Sequence, residues 1–167
     1  MEENTQNNVD KTGVVIPKQK KSDFLPFIAI TLLIVLPIRL FIAQPFIVNG
    51  ASMVPTFQNG DYLIVDELTY RLRDPERGEV IIFKYPKDTT KFFIKRVIGL
   101  PGDTVDGKVL EKNQYFVEGD NRDASSDSRF WGPVARNLVI GRPYLRLLPI
   151  REVSFLPGLA EKEKYAN

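Results

Sequence analysis

The chain of 167 residues contains no cysteine and no histidine. Without cysteine there is no disulfide, no thiolate nucleophile and no thiolate metal site. Without histidine the usual general base and the usual zinc ligand are missing, so a Ser-His-Asp triad is excluded. If a serine acts as nucleophile here, a lysine or a carboxylate must accept its proton. We expect neither a metal ion nor a cofactor.

Strong charge of one sign is also lacking, because 23 basic residues are balanced by 21 acidic ones. Nothing in this balance suggests a nucleic-acid partner. The length fits one small domain with a short additional segment. Twelve prolines and eleven glycines are spread along the chain and favour short strands and turns over long helices.

Long apolar runs are rare, and the single one begins at Phe24. It reads FLPFIAITLLIVLPI to Ile38, and with its extension to Ala43 it reaches the ~20 residues that span a bilayer. Arg39 lies near its end, where a long side chain can reach the headgroups. A cleaved signal peptide or a buried core helix would give a similar run. The length and the flanks favour a single N-terminal transmembrane anchor over residues 23–43.

The segments around this run complete the domain prediction. Residues 1–22 are polar and charged, which predicts a disordered tail. Because their basic cluster at 18–21 precedes the run, the positive-inside rule puts the N-terminus in the cytoplasm. Residues 44–158 are then an extracytoplasmic domain, and residues 159–167 form a polar C-terminal tail.

After the run, short apolar stretches alternate with turn residues and no helical period is sustained. The stretches that predict strands are 62–65, 80–85, 91–99, 115–118 and 138–147, with a small hairpin around Asp106-Gly107. The charged segment 66–77 is predicted to be an exposed connection. The fold class is therefore mainly β, a small antiparallel β-sheet or β-barrel domain preceded by the anchor.

A serine shortly after the anchor has an unusual setting. Gly50 and Ala51 leave little bulk before Ser52, and Pro55 fixes a backbone angle three residues later. Small residues, a serine and a rigid turn are one way to present a nucleophile to a bound chain. An ordinary surface turn has the same composition, so this stretch alone leaves both interpretations open.

Lys95 lies in an apolar strand, on the face that also carries Phe93 and Val97. Burial there would lower its pKa from about 10.4 toward the range of a useful base. Alternatively, Lys95 extends into water from an edge strand. Arg96 has equally apolar neighbours, but a guanidinium cannot act as a base.

The loop 119–132, GDNRDASSDSRFWG, is dense in short polar side chains. Such a loop can satisfy its own backbone and brace a site by Asp–Arg pairing, or it can be a plain surface loop. It lacks the ligand spacing and terminal glutamate of an EF-hand. Phe130-Trp131 at its end would suit either a membrane interface or the core.

Together these segments resemble the type I signal peptidases, membrane-anchored Ser/Lys endopeptidases that remove signal peptides. The resemblance covers roughly residues 23–150 and keeps the order of the family's motifs after an N-terminal anchor. The matching motifs are Ser52-Met53-Val54-Pro55-Thr56, Gly60-Asp61, Arg77-Gly78-Glu79-Val80, Ile94 to Asp103, and Gly119 to Asp123 with its continuation to Arg129.

The resemblance implies a role for each matching residue. Ser52 would be the nucleophile and Lys95 its general base. Ser125 would orient the lysine, and Asp127 and Arg129 would brace the site as a pair. The N–H of Ser52 would contribute to the oxyanion hole.

The resemblance also implies substrates with small side chains at the −1 and −3 positions, bound as an added strand. The candidate substrate-binding residues are Phe46, Val48, Gly50, Phe93 and Ile94. Some family members carry, at the position of Gly50, a serine whose hydroxyl adds a second oxyanion donor. The source of a second donor in this chain is therefore open.

The expected partners are signal-peptide-bearing preproteins and the lipid bilayer, with no nucleic acid, and the expected state is a monomer in the cytoplasmic membrane. A self-cleaving transcriptional regulator would need a DNA-binding domain, for which residues 1–22 are too short. A membrane-tethered β domain that binds extracytoplasmic partners without catalysis is the remaining alternative.

Overall fold

The computed structural model describes residues 24–41 and 43–159. The chain divides into two units, one ending at Leu36 and the other beginning at Pro37. The predicted tail 1–22, and all but the first residue of the predicted tail 159–167, lie outside the described residues.

The predicted apolar segment forms helix α1, Phe24–Phe41. Its side chains from Phe24 to Val35 are exposed, and most of them are large and apolar. Within residues 24–41 and 43–159, no helix is both long and apolar enough to cross a membrane. Among the described residues the predicted segment 23–43 is an apolar helix of 18 residues, and its crossing of a membrane stays a prediction.

The rest of the described chain is mainly antiparallel β-sheet, as predicted. The strands are β1 (Ala43–Ile47), β2 (Tyr62–Asp66), β3 (Val80–Tyr85), β4 (Asp88–Gly99), β5 (Thr104–Val105), β6 (Lys108–Val109), β7 (Gln114–Glu118), β8 (Val134–Ala135), β9 (Val139–Leu148) and β10 (Ser154–Phe155). Two short helices, α2 (Thr69–Leu72) and α3 (Ser128–Trp131), interrupt them. The predicted hairpin around Asp106-Gly107 is β5–β6.

The large sheet is open. Its order is β1-β2-β9-β3-β4-β7-β8, with β10 paired to β9. Within the described residues β1 pairs only with β2, and the two-residue β8 pairs only with β7, so the ends of the sheet do not meet. The barrel alternative is therefore wrong, and the sheet alternative is confirmed.

Strand β3 is buried on both faces and separates two apolar clusters. Ile81 and Phe83 pack in one cluster with Val97 of β4 and with residues of β7, β8 and β9. Val80 packs in the other cluster with residues of β2 and of the segment after β1. Because β4 lies directly beside β3, its successive side chains also enter two different environments.

The segment 66–77, predicted to be an exposed connection, is partly buried. It contains α2, whose Tyr70 is buried and donates a hydrogen bond to the buried Glu79 at 3.1 Å. Arg73 also binds the Glu79 carboxylate, with donor–acceptor distances of 2.6 and 3.0 Å. Composition alone suggested exposure because the segment is charged. These charges are paired inside the fold, and a local sequence pattern does not reveal their partners.

Loop 119–132 contains α3, and its two aromatic side chains lie in different environments. Trp131 packs on the core, with its ring 5.9 Å from that of Phe83 and 5.7 Å from that of Tyr85. Phe130 is 70% exposed. Core packing is therefore confirmed for Trp131.

Candidate active site

Ser52 lies in an irregular turn between β1 and β2. Gly50 has a φ of 96°, which favours glycine, and its N–H donates to Asn59 Oδ1 at 2.9 Å. After the serine, Met53 and Phe57 are buried in the second apolar cluster. These anchors hold the backbone of the turn while Ser52 itself stays half-buried.

Lys95 of β4 reaches this turn from 43 positions away in sequence. Its Nζ lies 2.6 Å from Ser52 Oγ and 2.9 Å from the carbonyl oxygen of Ile94. The lysine is only 4% exposed, so water has little access to its amine. The two residues predicted to react together are therefore within hydrogen-bond distance of each other.

The environment of Lys95 makes it a better base. Burial lowers the pKa of Lys95 from 10.5 to about 8, because desolvation penalises the charged amine. The carboxylates of Asp127 and Asp120 act in the opposite direction and keep the pKa from falling further. With a pKa near 8, about a tenth of the amine is neutral at pH 7 and about half at pH 8.

The structure brings Ser125 close to the pair but does not bond it to Lys95. Its Oγ is buried and has no hydrogen-bond partner among the described residues. The hydroxyl nevertheless lies near enough to Asp127 to help lower the pKa of that carboxyl. The orientation of Lys95 by Ser125 therefore stays a prediction.

Asp127 and Arg129 form the predicted pair. The Arg129 guanidinium donates to both carboxylate oxygens, at 2.8 and 2.9 Å, and the N–H of Gly119 donates to the same carboxylate at 3.1 Å. Burial acts to raise the pKa of Asp127, but the hydrogen bonds from Arg129 and Gly119 outweigh it and hold the pKa at about 2. Asp127 is therefore a permanent negative charge beside the site.

Gly119 was quoted in the sequence only as part of a motif, and the structure gives it a physical function. A Cβ at this position would overlap both Ser125 Oγ and the backbone oxygen of Ser52. Only a residue without a side chain lets the end of β7 pass so close to the turn that carries Ser52. A glycine directly after an apolar strand was the available signal.

A second network that the sequence did not predict lies around Arg96. The buried guanidinium binds the Asp120 carboxylate through two hydrogen bonds of 2.7 and 2.6 Å. It also donates to the carbonyl oxygens of Gly78 and Gly158, at 2.7 and 2.8 Å. Thr56 Oγ1 donates to the same carboxylate at 2.5 Å, so the network reaches the turn that carries Ser52.

A cleft of about 450 Å³ opens beside Ser52 and Lys95. The five candidate substrate-binding residues all line it, namely Phe46, Val48, Gly50, Phe93 and Ile94. In the described part of the chain β1 pairs on one side only, and β4 before Arg96 pairs only with β3. Both strands that line the cleft therefore retain an unpaired edge.

Comparison with known proteins places the chain in a family. The chain matches the family "Signal peptidase, peptidase S26" over residues 21–110 and 105–148. It is 40% identical to a probable signal peptidase I-2 of Synechocystis over 75% of this chain and 72% of the relative. It is 35% identical to the signal peptidase I of Leptolyngbya laminosa, over 77% and 80%. Mitochondrial inner membrane protease subunit 1 of mouse is 33% identical, over 71% and 78%.

Proposed function

The chain belongs to the signal peptidase family, peptidase S26, and from that membership we propose that Ser52 and Lys95 are its catalytic pair. The protein is a type I signal peptidase, a serine endopeptidase that removes signal peptides. The observation that carries the assignment of the pair is the 2.6 Å distance between Lys95 Nζ and Ser52 Oγ, at a lysine withdrawn from water.

The proposed reaction begins with the neutral amine of Lys95. Lys95 accepts the Ser52 proton as Oγ attacks the carbonyl carbon of the scissile bond, and the Ser52 N–H stabilises the negative oxygen that forms. The intermediate collapses to an acyl-enzyme, and the Lys95 ammonium returns its proton to the leaving amine. Lys95 then deprotonates a water molecule that hydrolyses the ester and regenerates Ser52.

The surrounding residues have supporting roles in this proposal. Asp127 and Arg129 hold the loop after β7 against the site, and Ser125 orients the amine of Lys95. The signal peptide lies in the cleft beside β1 and β4 as an added strand, with small side chains facing Phe46, Val48, Phe93 and Ile94. The unpaired strand edges support this binding mode.

The proposal includes the cellular setting. Preproteins with signal peptides are the substrates, and the enzyme acts as a monomer. A single copy of residues 44–158 contains every group assigned above, which supports this state. The exposed apolar residues of α1 support attachment to the lipid bilayer of the cytoplasmic membrane. The lysines that precede α1 support a cytoplasmic N-terminus and an extracytoplasmic catalytic domain.

The test of the catalytic pair is cleavage of one signal-peptide-bearing precursor by the purified protein, followed by sequencing of the new N-terminus. We expect Ser52→Ala and Lys95→Arg each to abolish cleavage, because the first removes the nucleophile and the second replaces the base by a permanent cation. Ser154→Ala and Lys84→Arg are matched controls outside the cleft and should cleave normally.

Normal cleavage by either Ser52→Ala or Lys95→Arg would contradict the assignment. Circular dichroism of both variants should match that of the wild type, so that loss of activity is separated from loss of fold. A wild-type protein that cleaves no precursor but binds exported proteins would instead support the non-catalytic tethered domain.

The orientation is tested by protease protection in cells that produce the full chain. Protease added to spheroplasts should digest residues 44–158 and leave the N-terminal end protected, because only the extracytoplasmic domain is accessible. Release of the protein from membranes by high salt alone would contradict attachment through α1. Protection of the β domain would contradict the proposed orientation.

A further inference from the structure

Asn121 is bonded at two points to the turn that carries the proposed nucleophile Ser52, which we name the nucleophile turn. Its backbone N–H donates to the carbonyl oxygen of Ser52 at 3.0 Å. Its side-chain Nδ2 donates to the carbonyl oxygen of Ala51 at 3.2 Å. The two peptide groups that flank the nucleophile are thus both held by one residue.

These two bonds fix more than the carbonyl groups. A peptide unit is planar, and in the trans form the C=O of one residue and the N–H of the next point in opposite directions. A donor that holds Ala51 O therefore also sets the direction of the Ser52 N–H. Because both peptide planes beside Ser52 are held, its φ and ψ are constrained, and with them the direction of its Cα–Cβ bond.

Gly50, Met53 and Phe57 anchor the turn on either side of Ser52, and the described contacts of the two flanking carbonyl groups are few. The turn is not part of a strand ladder, and Ala51 O otherwise accepts a bond from Val54 N–H at 3.2 Å within the turn itself. A Cβ at Gly50 would meet no atom within 4 Å, so the space beside this residue is open. The described residues that line the cleft include Ala51 and Ser52 but not Asn121, so Asn121 acts on the turn from outside the cleft.

Resting on the proposed function, we infer that Asn121 is a positioning residue that aims the Ser52 N–H at the developing oxyanion. It does not touch the substrate or transfer a proton. It holds the donor in place before the reaction, which is the condition for electrostatic stabilisation of a transition state. Because Gly50 supplies no hydroxyl as a second donor, stabilisation of the oxyanion depends more strongly on the alignment of the Ser52 N–H.

The test compares Asn121→Leu, of similar size but without the donor, with Asn121→Gln, which keeps a donor on a longer arm. Removal of an oxyanion donor costs about 10²–10³ in kcat, so misalignment should lower the kcat of Asn121→Leu by about 10- to 100-fold. We expect KM to change by less than about twofold, since ground-state binding is untouched. Asn121→Gln should lose less than Asn121→Leu.

Two further measurements separate positioning from a merely structural role. The affinity of a peptide aldehyde, which forms a tetrahedral adduct with the serine, should fall in parallel with kcat/KM, while that of the corresponding peptide amide should not. The pH at which kcat/KM reaches its plateau should not move, because burial of Lys95 is unchanged. Asn137→Leu, on an exposed asparagine outside the cleft, is the matched control.

Wild-type kcat in Asn121→Leu would overturn the inference, as would a loss that appears in KM or that active-site titration traces to unfolded protein. In each of these cases the wild-type enzyme still cleaves the precursor, so only the role of Asn121 is rejected. A wild-type protein without cleavage would reject the proposed function itself.

Discussion

At the scale of single residues, Lys95 and Arg96 are adjacent cations with different functions. Both are buried, although alternation along a strand places them on opposite faces. Lys95 meets a hydroxyl and a carbonyl, whereas Arg96 meets a carboxylate that neutralises its charge. The lysine is therefore the one whose charged form is destabilised, and only its amine can become neutral near physiological pH.

The lowered pKa of Lys95 predicts how activity depends on pH. Since only the neutral amine can accept the Ser52 proton, kcat/KM should rise about tenfold per pH unit below the pKa and level off above about 8. The measurement is kcat/KM for one precursor peptide from pH 6 to pH 10. In Asp127→Asn the plateau should begin at lower pH, because a carboxylate that raises the pKa of Lys95 is gone. A flat profile between pH 6 and pH 9 would contradict a lysine base.

The same pKa affects stability with a definite sign. Between about 8 and 10.5, the unfolded chain keeps a proton on Lys95 that the folded protein has lost. The free energy of unfolding therefore increases with pH in this window, and the full cost of burying a charged lysine is present below it. This cost is on the order of 3 kcal/mol. The proposed role of Lys95 as a base requires a lysine that can lose its proton.

At the scale of elements, β4 connects the candidate active site to the frame of the domain. One face presents Lys95 to the cleft, and the next residue, Arg96, connects the strand to the loop after β7 and to the C-terminal segment. The predicted strand 91–99 is confirmed within β4 (Asp88–Gly99). Its two buried cations are accommodated because each meets polar groups of other segments.

The ion pair of Arg96 with Asp120 predicts a large loss of stability when only one partner is removed. The side chains are 0% and 4% exposed, so Arg96→Met leaves a buried carboxylate uncompensated. We expect the free energy of unfolding to fall by about 3–5 kcal/mol in Arg96→Met. Denaturant unfolding of the purified chain measures it.

Arg77→Met is the matched control for this prediction, because Arg77 pairs with Asp103 and both side chains are 31% exposed. Arg77→Met should lower the free energy of unfolding by about 1 kcal/mol or less. The double variant Arg96→Met with Asp120→Asn should recover part of the loss. Equal stability of Arg96→Met and Arg77→Met would show that burial of the pair is unimportant.

At the scale of the whole molecule, an open sheet supports the site through segments that are distant in sequence. The turn after β1, the middle of β4 and the loop after β7 meet at Ser52. The C-terminal segment returns to Arg96 through the carbonyl of Gly158. The apolar helix α1 belongs largely to the other unit. Its apolar side chains are exposed, and the proposed attachment to the bilayer explains this exposure.

Several properties of the protein were determined by the sequence alone. The absence of histidine and cysteine excluded a Ser-His-Asp triad and a thiolate nucleophile. The order of the motifs indicated the signal peptidase family, which is confirmed. The five predicted strands are confirmed as β2, β3, β4, β7 and β9. These features are readable because alternation, turn residues and motifs are local patterns in the chain.

Other properties were decided only by the tertiary structure. They include the approach of Lys95 to Ser52, the burial of both cations of β4, the Asp120 network and the two bonds from Asn121 to the nucleophile turn. Each depends on the pairing of β3 with β4 and β9, and on the close passage that Gly119 allows. Distances between remote segments follow from strand register and packing, which no local pattern encodes.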